Sequence, residues 1–151
     1  MSISARLEEL GIALPEAAAP VASYKPIVVH GGLAYISGQL PFVQGKIVTG
    51  KLGADLDCEE GRKAARACGL MILAQLAAAD LLERVECVVR LGGFVASTPD
   101  FTEQPQVVNG ASDLMYEVFG DCGRHARAAV GVPVLPLDAA VEVDAIIALE
   151  N

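Results

Sequence analysis

An arginine and a glutamate stand inside two apolar, strand-like runs near the end of this chain, Arg127 in ARAAVGVPV and Glu142 in AAVEVDAIIAL. A guanidinium is a planar, permanently charged fork suited to holding a carboxylate. A carboxylate set among apolar residues is a natural partner for it. The VLPLD between the runs reads as a tight connection, because proline fixes φ and lacks an N–H. The midpoint between the two charges falls beside Leu135 and Pro136, and residues equidistant from a hairpin turn face each other, so the spacing predicts a cross-strand pair. A turn centred one residue later would set Arg127 opposite Asp144, which shares a face with Glu142 because strand side chains alternate. The plainest role for such a pair is an exposed ion pair worth about 0.2–1 kcal/mol. A ligand site is the alternative.

Elements that would position these charges are readable along the chain. Ser4 can cap a short helix through Leu10, ended by Gly11 and Pro15, and a Pro- and Ala-rich connection follows. IVVHGGLAYISGQLPF reads as two strands joined at Gly31-Gly32, with a short third strand around Lys46 to Val48. Asp57 and Glu60 have the spacing of a capping box opening a helix to about Ala79, with an apolar stripe through Leu70, Leu73 and Ala77. Glu86 to Ser97 reads as a strand whose Gly92-Gly93 marks either a bulge or a close approach to the backbone. Pro105 to Phe119 reads as a second long helix stopped by Gly120. The pattern predicts an α+β layer of helices on a mostly antiparallel sheet. Residues 1–23 form a helix and connecting arm, and residues 24–151 the domain.

Composition narrows the function classes. The 151 residues suit one domain with a single core. With 53% hydrophobic and 20% charged residues and a mean hydropathy of +0.45, some apolar surface is expected to be used in a homo-oligomer. A net charge of -8 and a pI near 4.6 argue against a nucleic-acid surface, as does the local grouping of Arg124, His125 and Arg127. The N-terminus lacks the order of a signal peptide, and the longest apolar stretch, around CGLMILAQLAAA, is too short to span a bilayer. The chain reads as soluble and cytoplasmic. Cys58, Cys68, Cys87 and Cys122 have no metal-ligand spacing and read as small buried hydrophobes, Cys58 at a helix start being the first candidate for a reactive thiol. Without a P-loop, G-x-G-x-x-G, G-x-S-x-G or H-E-x-x-H motif, no cofactor and no metal are expected.

Polar residues that interrupt apolar runs are the remaining leads. Ser37 and Gln39 flank Gly38 at the end of the second strand, Asn109 interrupts the second long helix, and Tyr24 precedes the first strand. Their ordinary roles would be a hydroxyl bonded to backbone, a solvated helix position and a packing ring. His30 at a hairpin turn and His125 ahead of Arg127 have no partner spacing that marks a general base.

Taken in order, Tyr24, ISGQLP at 36–41, VVNGASDLMYEVFG at 107–120 and HARAAVGVPVLPLDAAVEVDAIIAL at 125–149 resemble the reactive intermediate deaminase family, also called Rid or YjgF-like. The resemblance covers about Tyr24 to Leu149. Its specific part is the ending R-x-x-V-x-V-x-x-L-P-x-D-x-x-V-E-V-x-A. It implies a chorismate-mutase-like α+β fold, a mixed and mostly antiparallel sheet covered on one face by two helices, assembled as a homotrimer with a cleft at each subunit interface. By the same resemblance Arg127 holds a substrate carboxylate, Glu142 positions or activates water, and Tyr24, Ser37 and Asn109 complete the binding site. The implied activity is hydrolytic deamination of 2-imino or enamine acids of the 2-aminoacrylate type, with no cofactor. Two positions depart from the family pattern: Ala129 stands where active members commonly carry a cysteine, and His125-Ala126-Arg127 replaces a P-A-R sequence. The alternatives are a non-catalytic trimer that binds a small 2-keto carboxylate, and a ribonuclease, which the acidic charge weighs against.

Overall fold

Alternation in the last strand sets the layering: Val141, Val143, Ala145, Ile147 and Leu149 are buried, while the residues between them are only partly covered. The computed structural model describes residues 1–20 and 22–151. In chain order the elements are α1 (Ile3–Glu9), β1 (Ile27–His30), β2 (Leu33–Gln39), β3 (Phe42–Val43), β4 (Lys46–Ile47), α2 (Cys58–Ala78), β5 (Val85–Ala96), α3 (Gln104–Phe119), β6 (Ala126–Val132) and β7 (Val141–Leu149). Short 3₁₀ turns occupy Leu82–Arg84, Gly120–Gly123 and Pro136–Asp138. Five strands form one sheet in the order β1-β2-β7-β5-β6, and β3 and β4 pair separately.

The buried face of the sheet packs on α2 and α3 through Ile36, Val88, Leu91, Val95 and the odd-numbered residues of β7. The two helices approach closely where Gly110 of α3 meets the backbone of Arg62 in α2. Among the described residues, the other face of the sheet carries no helix. Exposed Val28, Tyr35 and Val130 lie on it with Glu142, Asp144 and Arg90. It is an apolar face with a few charges.

Several local expectations hold. The Gly31-Gly32 turn closes β1 on β2 with both glycines at positive φ, 61° and 76°, as a two-residue hairpin turn requires. Asp57 caps α2 reciprocally with Glu60, each side chain accepting the other's backbone N–H at 2.8 Å. Replacing Asp57 by alanine is expected to cost about 1 kcal/mol. Thermal melting should show a fall in Tm of about 2–4 °C. The cap of α1 is Ser2, whose Oγ accepts from Ala5 N at 3.0 Å, and not Ser4. Ser4 instead donates its hydroxyl to Glu83, which also accepts the N–H groups of Ile3 and Ser4 and so ties α1 to the body of the protein. Of the apolar stripe of α2, Leu73 and its neighbours Met71 and Ala74 are buried and Leu70 is partly covered, but Ala77 is exposed in the last turn.

The predicted hairpin between the two charged runs does not form. β6 lies parallel to β5 at the edge of the sheet, while β7 pairs antiparallel with β5 on its other side and with β2. The reason is the helix between β5 and β6: a strand, a crossover helix and a second strand place the two strands parallel and adjacent. β6 is therefore taken before β7 arrives. Pro133 and Pro136 cannot donate to a ladder, and the segment after β6 crosses the end of β5, where Ala139 bridges Thr49 and Ala140 donates to Val48 O. Gly92 and Gly93 keep regular register in β5, the irregularities lying earlier in the strand. They are close-approach glycines: a Cβ on Gly93 would sit 2.6 Å from a methyl of Val108 in α3.

Candidate functional site

Because β6 flanks α3, Arg127 points to the helix side of the sheet, opposite buried Leu91. Its Nη1 donates to Ser112 Oγ at 3.0 Å and its Nη2 to Pro105 O at 3.1 Å, both on α3. Two of the five guanidinium N–H donors are thereby used, and among the described residues no carboxylate forms a salt bridge with Arg127, Asp113 beside the pocket being paired with Arg62 at 3.3 Å. Asn109, Ser112 and Tyr116 follow one another at helical spacing on the same side of α3. With Arg124, His125 and Arg127 they line an open, polar pocket of about 320 Å³. Arg124 is already engaged, over the Tyr116 ring at 4.4 Å from its centroid and donating to Asp121 at 3.2 Å.

Glu142 lies on the other face. Its neighbours Val141 and Val143 are fully buried on the helix side, so alternation turns the Glu142 carboxylate to the uncovered side of the sheet. Burial, and then the charge of Asp144, raise its pKa above the ordinary carboxylate value. Asp144 is also raised, chiefly by burial, although Arg90 at 3.9 Å and the Gly92 N–H oppose the shift. Arg127 thus pairs with neither carboxylate, and the charge beside Asp144 belongs to Arg90.

The Glu142 side chain rests against Gly38, where β2 departs from regular register with β7. A Cβ on Gly38 would lie 2.7 Å from Glu142 Cδ, so this carboxylate position requires glycine. Gly38 also lines a small cavity of about 50 Å³ with Tyr24, Gln39 and Leu137. Ser37 donates its hydroxyl to Lys25 O at 2.7 Å, which fastens the segment carrying Tyr24 to β2. Gln39 is buried, donating to Ser37 O and accepting from Gln75 Nε2, which in turn donates to Ala18 O of the arm.

The residues singled out from sequence therefore fall into two sets. Asn109 and Arg127 share the α3 pocket, whereas Tyr24, Ser37 and Glu142 gather about Gly38, with Glu142 on the face of the sheet opposite Arg127. Sequence reasoning missed Ser112, although it stands one helical turn after Asn109. It also offered Cys58 as a reactive thiol. Burial and the nearby Glu103 raise the Cys58 pKa, which disfavours the thiolate. Cys68 is fully buried with its thiol donating to Val141 O at 3.5 Å, and all four cysteines are free. Among the described residues no group of three or more His, Cys, Asp or Glu could hold a metal ion, and no helix is long and apolar enough to cross a membrane.

A family described as "YjgF/chorismate_mutase-like, putative endoribonuclease" matches residues 4–149. The chain belongs to the Rid/YjgF-like family. It is 53% identical over 152 residues to Protein TCP17 of Trypanosoma cruzi, covering 99% of this chain and 95% of that one. The crystal structure of Atu1372 from Agrobacterium tumefaciens, a protein of unknown function, is 48% identical, with a TM-score of 0.89 over 99% of this chain and 93% of that one. RidA from an Antarctic Psychrobacter is 25% identical, with a TM-score of 0.64 over 89% and 94% of the two chains. The Rid/YjgF-like fold accounts for the mixed sheet and the two helices on one face. Ala129, where a cysteine is usual in active members, lies two residues along β6 from Arg127, on the same face, and packs partly buried against the core.

Proposed function

We propose that this protein is a cofactor-independent deaminase that hydrolyses 2-imino and enamine acids in clefts between the subunits of a homotrimer. The observation that carries this reading is the state of Arg127: neither Glu142 nor Asp144 neutralises it, and its free fork opens into a polar pocket beside Asn109. A bidentate guanidinium is suited to a substrate carboxylate. Glu142 supplies a second requirement, a desolvated carboxylate of raised basicity.

Arg127 and Glu142 face opposite ways in one chain, so a site using both draws them from two protomers. The position of β6 at the sheet edge and the uncovered apolar face favour such an assembly. Arg127 of one subunit then holds the carboxylate, and Glu142 of the next takes a proton from water as its oxygen attacks the imine carbon. On the protonated imine this gives a carbinolamine, and Glu142 returns the proton to its nitrogen. The carbon–nitrogen bond breaks as the hydroxyl oxygen becomes the carbonyl and gives its own proton to Glu142. Ammonia takes that proton as it leaves, so the products are a 2-keto acid and ammonium. Imines hydrolyse unaided in water, so positioning and acid–base assistance suffice.

The test is release of 2-keto acid and ammonia from an enzymatically generated imino acid. Glu142→Gln is expected to lower the catalysed rate about 100-fold. The wild-type rate should rise with pH through a pKa above the ordinary carboxylate range, since only ionised Glu142 accepts the proton. Stability should move the other way. A raised folded-state pKa gives stability that is full below the unfolded-state value and lost as pH rises through the folded one. At neutral pH Glu142→Gln should therefore melt higher than wild type. Equal rates in the two proteins would sink the proposal. Keto-acid binding that depends on Arg127, without turnover above buffer, would select the non-catalytic binding trimer instead.

A further inference from the structure

We infer that Ser112 and His125 are positioning residues for Arg127, forming a relay that aims its guanidinium into the α3 pocket. His125 Nδ1 lies 2.6 Å from Gly123 O, and a carbonyl only accepts, so Nδ1 carries a hydrogen. In the neutral ring this leaves Nε2 as an acceptor, 2.8 Å from Ser112 Oγ. The Ser112 hydroxyl hydrogen is drawn to His125, and its lone pairs turn to the Arg127 Nη1–H at 3.0 Å. Each group has one orientation compatible with the others.

The start of the relay is itself fixed. Gly123 sits so close to α3 that a Cβ on it would lie 2.1 Å from Met115 O and 3.0 Å from Tyr116 N. The chain of contacts leaves α3 at Met115, passes through Gly123, His125 and Ser112, and reaches Arg127, whose Nη2 is held on α3 again at Pro105 O. Arginine carries a long side chain with large rotamer entropy. A relay anchored at both ends holds the free part of the fork toward the pocket before a ligand arrives, which lowers the ordering cost of binding. His125 stands two residues before Arg127 on the approach to β6, so the strand that carries the clamp also carries its support.

The effect on carboxylate binding rests on the deaminase reading, whereas the positioning of the guanidinium does not, and two measurements separate them. In ¹⁵N NMR of the arginine side chains, with Arg127 assigned by its loss in Arg127→Ala, wild type should show distinct Nη1 and Nη2 signals from hindered rotation. They should merge in Ser112→Ala and in His125→Gln and stay distinct in Ser112→Thr, which keeps the hydroxyl. Titration with 2-oxobutanoate should give about tenfold weaker binding in Ser112→Ala and His125→Gln. Ser112→Thr should restore it, and Ser112→Ala should add no loss in an Arg127→Ala background. Unchanged Arg127 signals in both Ser112→Ala and His125→Gln would overturn the relay. So would a loss from Ser112→Ala that persists without Arg127. A wild-type protein that binds no keto acid but shows the expected NMR changes would refute the deaminase reading and leave the relay standing.

Discussion

Replacing Arg127 by alanine is expected to weaken 2-keto-acid binding about 100-fold while leaving the fold intact, because a bidentate, charge-assisted contact disappears from a half-covered edge position. Of the two groups released, Ser112 Oγ lines an open pocket and Pro105 O accepts in an exposed bond, so water can replace the lost donors. The melting temperature should stay within about 2 °C of wild type, as for other surface substitutions. Arg127→Lys keeps the charge but not the fork and should fall between the two, about tenfold weaker than wild type. Calorimetric titration with 2-oxobutanoate, beside deamination rates for the same proteins, checks this. Alanine and wild type binding alike would remove Arg127 from the site.

Gly110→Ala should damage the fold instead. A Cβ there would lie 2.0 Å from Arg62 O, 2.9 Å from Arg62 C and 3.0 Å from Arg66 N, all backbone atoms of α2. No side-chain rotation relieves that overlap, so α2 and α3 must move apart over a core that includes Ala65, Val107 and Ala111. Alanine gains about 1 kcal/mol over glycine in helix propensity. The overpacking costs about 3 kcal/mol or more and outweighs it. The net loss corresponds to a fall in Tm of about 4–8 °C. Gly69→Ala is the control: its nearest neighbour, at 2.9 Å, is the tip of the Leu114 side chain, which can turn. Urea unfolding of the two variants should show Gly110→Ala much the less stable, and equal midpoints would refute this account of the helix contact.

Signals confined to a few residues were legible in the sequence. The glycine pair between β1 and β2, the Asp57–Glu60 cap and the alternation of β7 each act within one turn or strand, and the structure has them where they were read. The capping serine of α1 was misread because Ser2 and Ser4 are equally suited in isolation. Only Glu83, at the start of β5's approach, decides which of them caps and which one docks.

The composition and order of the chain by themselves determined the α+β layering, the face that Glu142 shares with Asp144 and the membership in a known family. Tertiary structure alone decided what Arg127 touches. Distance from a turn predicts a partner only when the strands on either side of it are neighbours, and here the crossover through α3 places β5 between β6 and β7. That insertion separates Arg127 from both carboxylates and hands it to Ser112 and Pro105. It also puts Glu142 on the far side of the sheet. Strand order depends on contacts between segments distant in the chain, so it follows from packing and cannot be read from local spacing.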